Sequence, residues 1–483
     1  MSRIPARARA PAFCLLAFAS ASPLVAQSQG DLVLTFLDSH QTQFGQVALD
    51  IWELAEVGYQ EFQSSALLQD QLSQAGFSVE AGVAGMPTAF VASFGQGHPV
   101  IGILAEFDAL PGITQDASPT RNPLPLKGAG HACGHHLFGT GSTAAAIAVK
   151  EWLQETGVEG TIRLYGTPAE EGGAGKVYMV RAGLFADVDA ALHWHPGDGN
   201  SASPGTSLAN KSAKFRFHGV SSHAAGAPDR GRSALDGVEA MNHMVNLLRE
   251  HVPQETRIHY VITSGGSAPN VIPDFAEVFY YVRHPEPSMV ATLFDRVVAA
   301  AEGAAQGTGT TMDFEVIHGL YNLLPNEALQ KVVWEKLARV GGVVYDEAER
   351  RFAETVRQSL PEDSPALESA AQVQPYGFTR AGMGSTDVAD VSWMVPTAGL
   401  RTATWVPGTA AHSWQAVAAG GMSIGTKGMM VAAKALALSA VELFQQPEVL
   451  ASAKEEHSER VGPDFVYAPL LGDREPPLDY RRR

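Results

Sequence analysis

The sequence predicts an α/β protein of two domains, the larger interrupted by a smaller α+β domain. Three observations carry this. The chain has 483 residues, too many for one ordinary core, so two domains are the natural division. On either side of a middle segment, short apolar runs alternate with helical patterns, the signature of a sheet covered by helices on both faces. Between about residues 209 and 324 the texture becomes strand, helix, two strands, helix, strand, an α+β order of domain size.

Taken in order, residues 1–26 read as a targeting segment. Arg3, Arg7 and Arg9 make a basic start, the apolar run 12–19 is too short to span a bilayer, and small residues gather before Gln27, which puts cleavage after Ala26. A periplasmic or secreted protein with no membrane attachment after cleavage is the expectation. Residues 31–74 carry a helical rhythm, with Val47, Ile51, Leu54 and Ala55 on one buried face, and Gly76 is the expected stop. An alternating stretch opens at Phe77, residues 100–105 suit a buried strand, and a Gly/Pro/Asn-rich loop covers 111–134. Residues 142–153 form an Ala-rich helix, and 161–165 and 190–195 are strands. In the middle segment, strands are expected at 212–220, 257–263 and 276–283, with amphipathic helices at 232–250 and 287–305. After residue 324 the α/β texture returns and ends in an Ala- and Met-rich helix at 424–444, followed by a Pro- and Arg-rich surface extension. The expected divisions are therefore 1–26, 31–208, 209–324, 325–462 and 463–483.

A formal net charge of −17 argues against a nucleic-acid partner, because neutralising phosphates needs a basic surface. Of the two cysteines, Cys14 lies in the targeting segment, and its removal leaves Cys133 alone. No internal disulfide is then possible, and a lone exported thiol is best tolerated if a metal occupies its sulfur.

Three clusters carry chemistry. The run Gly130-His131-Ala132-Cys133-Gly134-His135-His136 combines a thiol with imidazoles, ligands suited to first-row transition metals. The adjacent Glu170 and Glu171 directly follow a strand, where repulsion makes the pair poor for stability. It becomes natural if one carboxylate binds metal and the other takes a proton from water. His193 and His195 end an apolar strand and share a face, so either or both could reach one site. His412 lies far downstream in a small-residue loop.

The chain resembles the M20 metallopeptidase/amidohydrolase family, especially its aminobenzoyl-glutamate hydrolase B-subunit type. The resemblance runs through residues 105–111, 128–141, 166–175, 215–242, 265–283, 384–396 and 407–428. It implies a mixed-sheet α/β catalytic domain interrupted by a smaller lid, or dimerisation, domain. It also implies two divalent metal ions, manganese or zinc, with Cys133 as the bridging ligand where many relatives have aspartate. His135 and His195 would hold one ion, Glu171 and His412 the other. Glu170 matches the general base that deprotonates the water between the ions, and Asp108 a supporting acid near them. His195 falls on the ligand position, leaving His193 in a supporting place. In the lid, His223 matches the histidine that reaches a neighbouring chain's site to stabilise the oxyanion, and Asn270 and Arg283 match substrate contacts.

The reading that follows is a metal-dependent amidohydrolase or peptidase cleaving an N-acyl amino acid, aminobenzoyl-glutamate-like, or a dipeptide. It would work as a homodimer or with a related subunit. The residues also admit a thiol hydrolase with Cys133 as nucleophile, and a non-catalytic metal- or peptide-binding protein. The export segment sits oddly with the subtype, which is usually cytoplasmic. Whether His136 touches substrate is open at this point.

Overall fold

The computed structural model describes residues 22–377 and 384–481. The expected export segment falls almost wholly outside them. From Ser22 the chain is helical, in α1 (Ser22–Leu54), and α2 covers Phe62–Gln74. The helical rhythm expected across 31–74 is thus interrupted. Ala55 and Tyr59 have φ of 44° and 61°, a left-handed backbone that no right-handed helix accepts. Gly76, at φ 89°, follows α2 as expected.

The larger sheet starts with β1 (Ser78–Ala81), β2 (Phe90–Gln96) and β3 (Val100–Ala105). A short antiparallel pair, β4 (Leu110–Pro111) and β5 (Ala129–Gly130), ties the ends of the Gly/Pro/Asn-rich loop together. Then come α3 (His135–Thr156), β6 (Gly160–Gly166), α4 (Gly175–Arg181) and β7 (Ala190–Gly197). The helix expected at 142–153 therefore starts earlier, at His135, because Gly134 takes φ 79° and turns the chain into it.

The chain next leaves this sheet for β8 (Ala209–His218), α5 (Ala234–Leu248), β9 (Arg257–Ser264), β10 (Phe275–His284), α6 (Pro287–Thr308) and β11 (Thr311–Leu320). These strands form their own antiparallel sheet in the order β11-β8-β10-β9. Its inner face buries Phe215, Phe217, Val278 and Val282 in one core with residues of α5 and α6. β9 is an edge strand, and Val261 and Ile262 on it are exposed.

The return leg runs through α7 (Glu327–Val340), α8 (Glu347–Arg357), α9 (Val388–Ser392), β12 (Thr397–Ala403), α10 (Trp414–Gly420), α11 (Ser423–Gln445) and α12 (Pro447–Val461). β12 rejoins the first sheet beside β7, giving the order β1-β2-β6-β3-β7-β12. β1 and β2 run antiparallel to their neighbours, while β6, β3, β7 and β12 are mutually parallel. Their carboxyl ends open along one edge, where α/β sheets form binding crevices.

β3 is buried along its whole length, as an uninterrupted Val/Ile/Leu run in a central parallel strand should be. α3 packs against α1 and α11 and is buried on almost all sides, which its alanines permit. α11 is long and apolar enough to cross a membrane, but 78% of its apolar window is buried inside the protein, so it serves as a core helix. The segment after α12 does lie along the surface, and it is fastened there. Leu471 and Pro477 are buried, Arg474 donates to the Val316 and Ile317 carbonyls of β11, and Arg181 of α4 donates to the Gly472 and Arg474 carbonyls.

Candidate metal centre

The carboxyl ends of the parallel strands bring most of the expected residues together. Asp108 follows β3, with Glu106 beside it; Glu170 and Glu171 follow β6, and His195 lies in β7. Cys133 and His135 enter from the start of α3, and His412 from the loop between β12 and α10. Cys133 Sγ lies 3.4 Å from His195 Nε2. Gly134 makes that approach possible: at φ 79° its own Cβ would stand 2.7 Å from the ring of Pro196, so a side chain there would lift Cys133 away from β7.

His195 and His135 are each oriented through their other nitrogen. His195 Nδ1 donates to the Pro196 carbonyl at 2.7 Å, leaving Nε2 toward the sulfur. His135 Nδ1 donates to Asp108 Oδ1 at 2.8 Å, and the other oxygen of Asp108 accepts the Glu171 backbone N–H at 2.9 Å. A carboxylate behind a histidine fixes the tautomer and sharpens the free nitrogen as a ligand. His412, at φ 61°, is held by its N–H to the Ala132 carbonyl at 2.9 Å, and its Nε2 lies 3.1 Å from Glu171 Oε1.

The ligand atoms of Cys133, His135 and His195 lie within 4.8 Å of one another, as do those of Cys133, Glu171 and His412. Cys133 belongs to both groups. His135 Nε2 lies 3.1 Å from Glu106 Oε2, as His412 Nε2 does from Glu171 Oε1, ion-pair contacts in which His135 Nε2, Glu106 Oε2 and Glu171 Oε1 make no well-formed hydrogen bond. Buried polar atoms with poor hydrogen-bond geometry are costly, and a cation among them would satisfy them better. With its thiolate, imidazole and carboxylate donors, the set fits divalent transition ions.

The electrostatics agree. Burial, with the charges of Glu106 and Glu171 beside it, pushes the Glu170 carboxyl well above the usual range. Burial opposes ionisation of Asp108 too, but the adjacent His135 prevails and lowers it. The Cys133 sulfur and the Glu171 carboxylate hold His412 up at about 10, so a proton occupies the position for which a cation would compete.

A family model described as Peptidase family M20/M25/M40 matches residues 102–415. The chain belongs to this family. It is 39% identical over 460 residues to the B subunit of p-aminobenzoyl-glutamate hydrolase of Escherichia coli (strain K12), covering 90% of this chain and 96% of that one. It is 28% identical over 439 residues to Xaa-Arg dipeptidase of Homo sapiens, with coverage of 87% and 90%. Among solved structures it shares its fold with a dinuclear metal binding peptidase of the M20 family from Bacillus subtilis, at TM-score 0.56 and 19% identity over 84% of this chain and 99% of that one. This M20 protein is a hydrolase acting on amide bonds.

Within the M20 motif around Cys133, the structure separates the histidines. His131 Nε2 donates to the Ile51 carbonyl and His136 Nε2 to the Gly420 carbonyl, each at 3.0 Å, and both rings are buried. Burial lowers His136 to about 3. His136 therefore packs in the interior, away from a substrate role. His193 lies over Gly399 of β12, where a side chain would collide with its ring, and burial lowers it to about 3.

Sequence reasoning missed a buried charge cluster behind the candidate ligands. Lys176 Nζ is 2.7 Å from Glu106 Oε1 and 2.6 Å from Asp387 Oδ1, with all three side chains at most 1% exposed. Glu106 lay within the resembling stretch but was given no role. Lys176 and Asp387 are brought together only by tertiary packing of α4 against the start of α9.

In the smaller domain, His223 is exposed and bridges to Val271, and the Asn270 carbonyl accepts the Ala224 N–H at 3.0 Å. The backbone N–H groups of Ala225 and Gly226 donate to His223 Nδ1 at 3.2 and 3.0 Å. That leaves Nε2 as the proton-bearing nitrogen, facing outward as a donor. Among the described residues no hydrogen bond or ion pair joins His223 or Asn270 to the cysteine cluster of the same chain. Arg283, half-buried on β10, donates to Ser385 Oγ at 3.2 Å and lies over the Tyr281 ring, with its Nε buried and unpaired.

Proposed function

We propose that the chain is a metal-dependent amidohydrolase that cleaves the amide bond of an N-acyl amino acid or dipeptide. The observation that carries this is the pair of ligand groups sharing Cys133, with Glu170 gathered next to them with Glu106 and His135. Cys133, His135 and His195 would hold one divalent ion, and Cys133, Glu171 and His412 the other, manganese or zinc. Two such ions, when bound, polarise the scissile carbonyl and make water acidic enough to attack at neutral pH. Glu170 accepts the water proton and delivers it to the leaving amine, a task suited to a carboxyl that burial and the neighbouring carboxylates make more basic. Asp108 keeps the His135 tautomer fixed.

His223 is the donor aimed at the oxyanion, supplied by a partner chain; such a donor contributes about 3 kcal/mol. The exposed edge strand β9 and its apolar residues support a homodimer built on the smaller domain. The K12 relative is the B subunit of its enzyme, so assembly with a related subunit is the other arrangement. Asn270 and Arg283 contact substrate, Arg283 through an anionic group. Residues 1–26 direct export.

A thiol hydrolase gains support from one observation, the 3.4 Å Cys133–His195 contact. The convergence of His135, Glu171 and His412 on the same sulfur has no use in that reading. Hydrolysis of a panel containing aminobenzoyl-glutamate, hippurate, N-acetyl amino acids and dipeptides, with manganese and zinc each supplied, tests the proposal. Turnover of at least one amide with either metal is expected; no turnover of any would refute it.

A further inference from the structure

The segment 463–481 reaches the candidate metal centre. The Tyr480 hydroxyl donates to the Glu171 carbonyl at 3.1 Å, and Arg481 Nη2 donates to the same oxygen at 2.5 Å. Both acceptor positions of that carbonyl are thus taken by residues more than 300 positions away in sequence. The contact is closely built. The Tyr480 ring meets Tyr59 edge-on with centroids 5.7 Å apart, and the Tyr59 hydroxyl donates to the Gly173 carbonyl at 2.7 Å. The Gln60 amide donates to the Leu478 carbonyl at 2.8 Å. A side chain at Gly58 would collide with the Tyr480 hydroxyl.

The turn that carries Glu170 and Glu171 needs such support. Ala169, Gly172 and Ala174 have φ of 58°, 92° and 59°, and non-glycine residues in the left-handed region persist only where surroundings impose them. On one side of Glu171 the N–H is fixed by Asp108. On the other side the carbonyl is fixed by the tail. The orientation of the Glu171 side chain, and of Glu170 before it, follows from where those two peptide groups are held.

We propose that Tyr480 and Arg481 are positioning residues for the Glu170–Glu171 pair, so that the tail sets the affinity of the metal ion held by Glu171 and His412. This rests on the proposed function, since it assigns Glu171 to a metal. Partners behind metal ligands typically change affinity 10- to 100-fold when removed, and the same is expected here for one ion of the two. The same segment is bound to β11 through Arg474, so the smaller domain and the metal loop share one fastening.

The test is metal titration of the full chain and of Tyr480→Phe, Arg481→Met and the double variant, with Arg481→Lys as the conservative control. Tyr480→Phe keeps the ring on Tyr59 and removes only the hydroxyl. The expected result is one metal equivalent bound as in the wild type and the other weakened about 10- to 100-fold in the double variant. Arg481→Lys should recover most of the loss, because an ammonium still donates to the carbonyl. Variants that bind both equivalents with wild-type affinity, whatever their melting temperatures, overturn the proposal and reduce the tail to packing. Equal weakening of both ions overturns it as well. A wild-type chain that binds no divalent ion overturns the proposed function, and this inference with it.

Discussion

The Asp108 carboxylate accepts the Nδ1 proton of His135 at 2.8 Å. With its other oxygen it accepts the backbone N–H of Glu171 at 2.9 Å, so one side chain orients a candidate ligand of each ion. Asp108→Asn retains the shape but can accept with only one atom. Metal affinity should fall about 10- to 100-fold, with kcat recovering at saturating metal. Titration of metal content against activity checks this, and unchanged affinity would remove Asp108 from any role at the metals.

Glu170 is assigned proton transfer and no metal. Glu170→Gln should lower kcat roughly 100- to 10,000-fold while metal content stays near the wild-type value. Steady-state kinetics with elemental analysis separate the two quantities. Retained turnover would refute the general-base role, and loss of metal would make Glu170 a ligand.

His223 is exposed on the smaller domain, and its hydrogen bonds stay there. His223→Ala should lower kcat on the order of 100-fold with little change in metal binding. If the histidine serves a neighbouring chain, mixing His223→Ala with Glu170→Gln after exchange of chains should restore activity, because one site of the hybrid keeps both residues. Hybrids as inactive as their parents would contradict the assignment of His223 to a neighbour's site.

The sequence made the parallel strands legible, because 100–105 is an apolar run bounded by turn residues, as burial of both sheet faces requires, and 161–165 and 190–195 are rich in β-branched, aromatic and small apolar residues. The break between α1 and α2 was not legible. It arises from the backbone at Ala55 and Tyr59, which leaves no mark on hydrophobic spacing. In the motif around Cys133, composition pointed to a metal but could not say which imidazole reaches it. That depends on α3 starting at His135, which turns His136 toward Gly420. Lys176 with Asp387, and Glu171 with Tyr480 and Arg481, are joined across 211 to 310 positions, and no local pattern encodes such pairs.

Away from the candidate ligands, Asp390 gives a pH signature. Burial lifts its carboxyl to about 7, although the Tyr467 hydroxyl donates to it at 2.7 Å and the Tyr321 N–H at 3.0 Å. Its folded pKa lies above the unfolded value near 4. The stability it contributes is therefore complete below pH 4 and lost as pH rises through about 7. Asp390→Asn cannot ionise, so relative to wild type it should gain stability from pH 5 to pH 8.5, on the order of a few kcal/mol. Denaturant unfolding at both pH values reads this, and a constant difference would show that Asp390 stays ionised in the fold.

Amide hydrolysis is assigned above all to two metal ions sharing Cys133. Metal content and activity measured together on the purified chain, before and after chelation, test that assignment most directly. The expected result is close to two transition-metal ions per chain, loss of turnover when they are stripped, and recovery when manganese or zinc is returned. A chain that hydrolyses its amide substrate at full rate with no transition metal bound would contradict it.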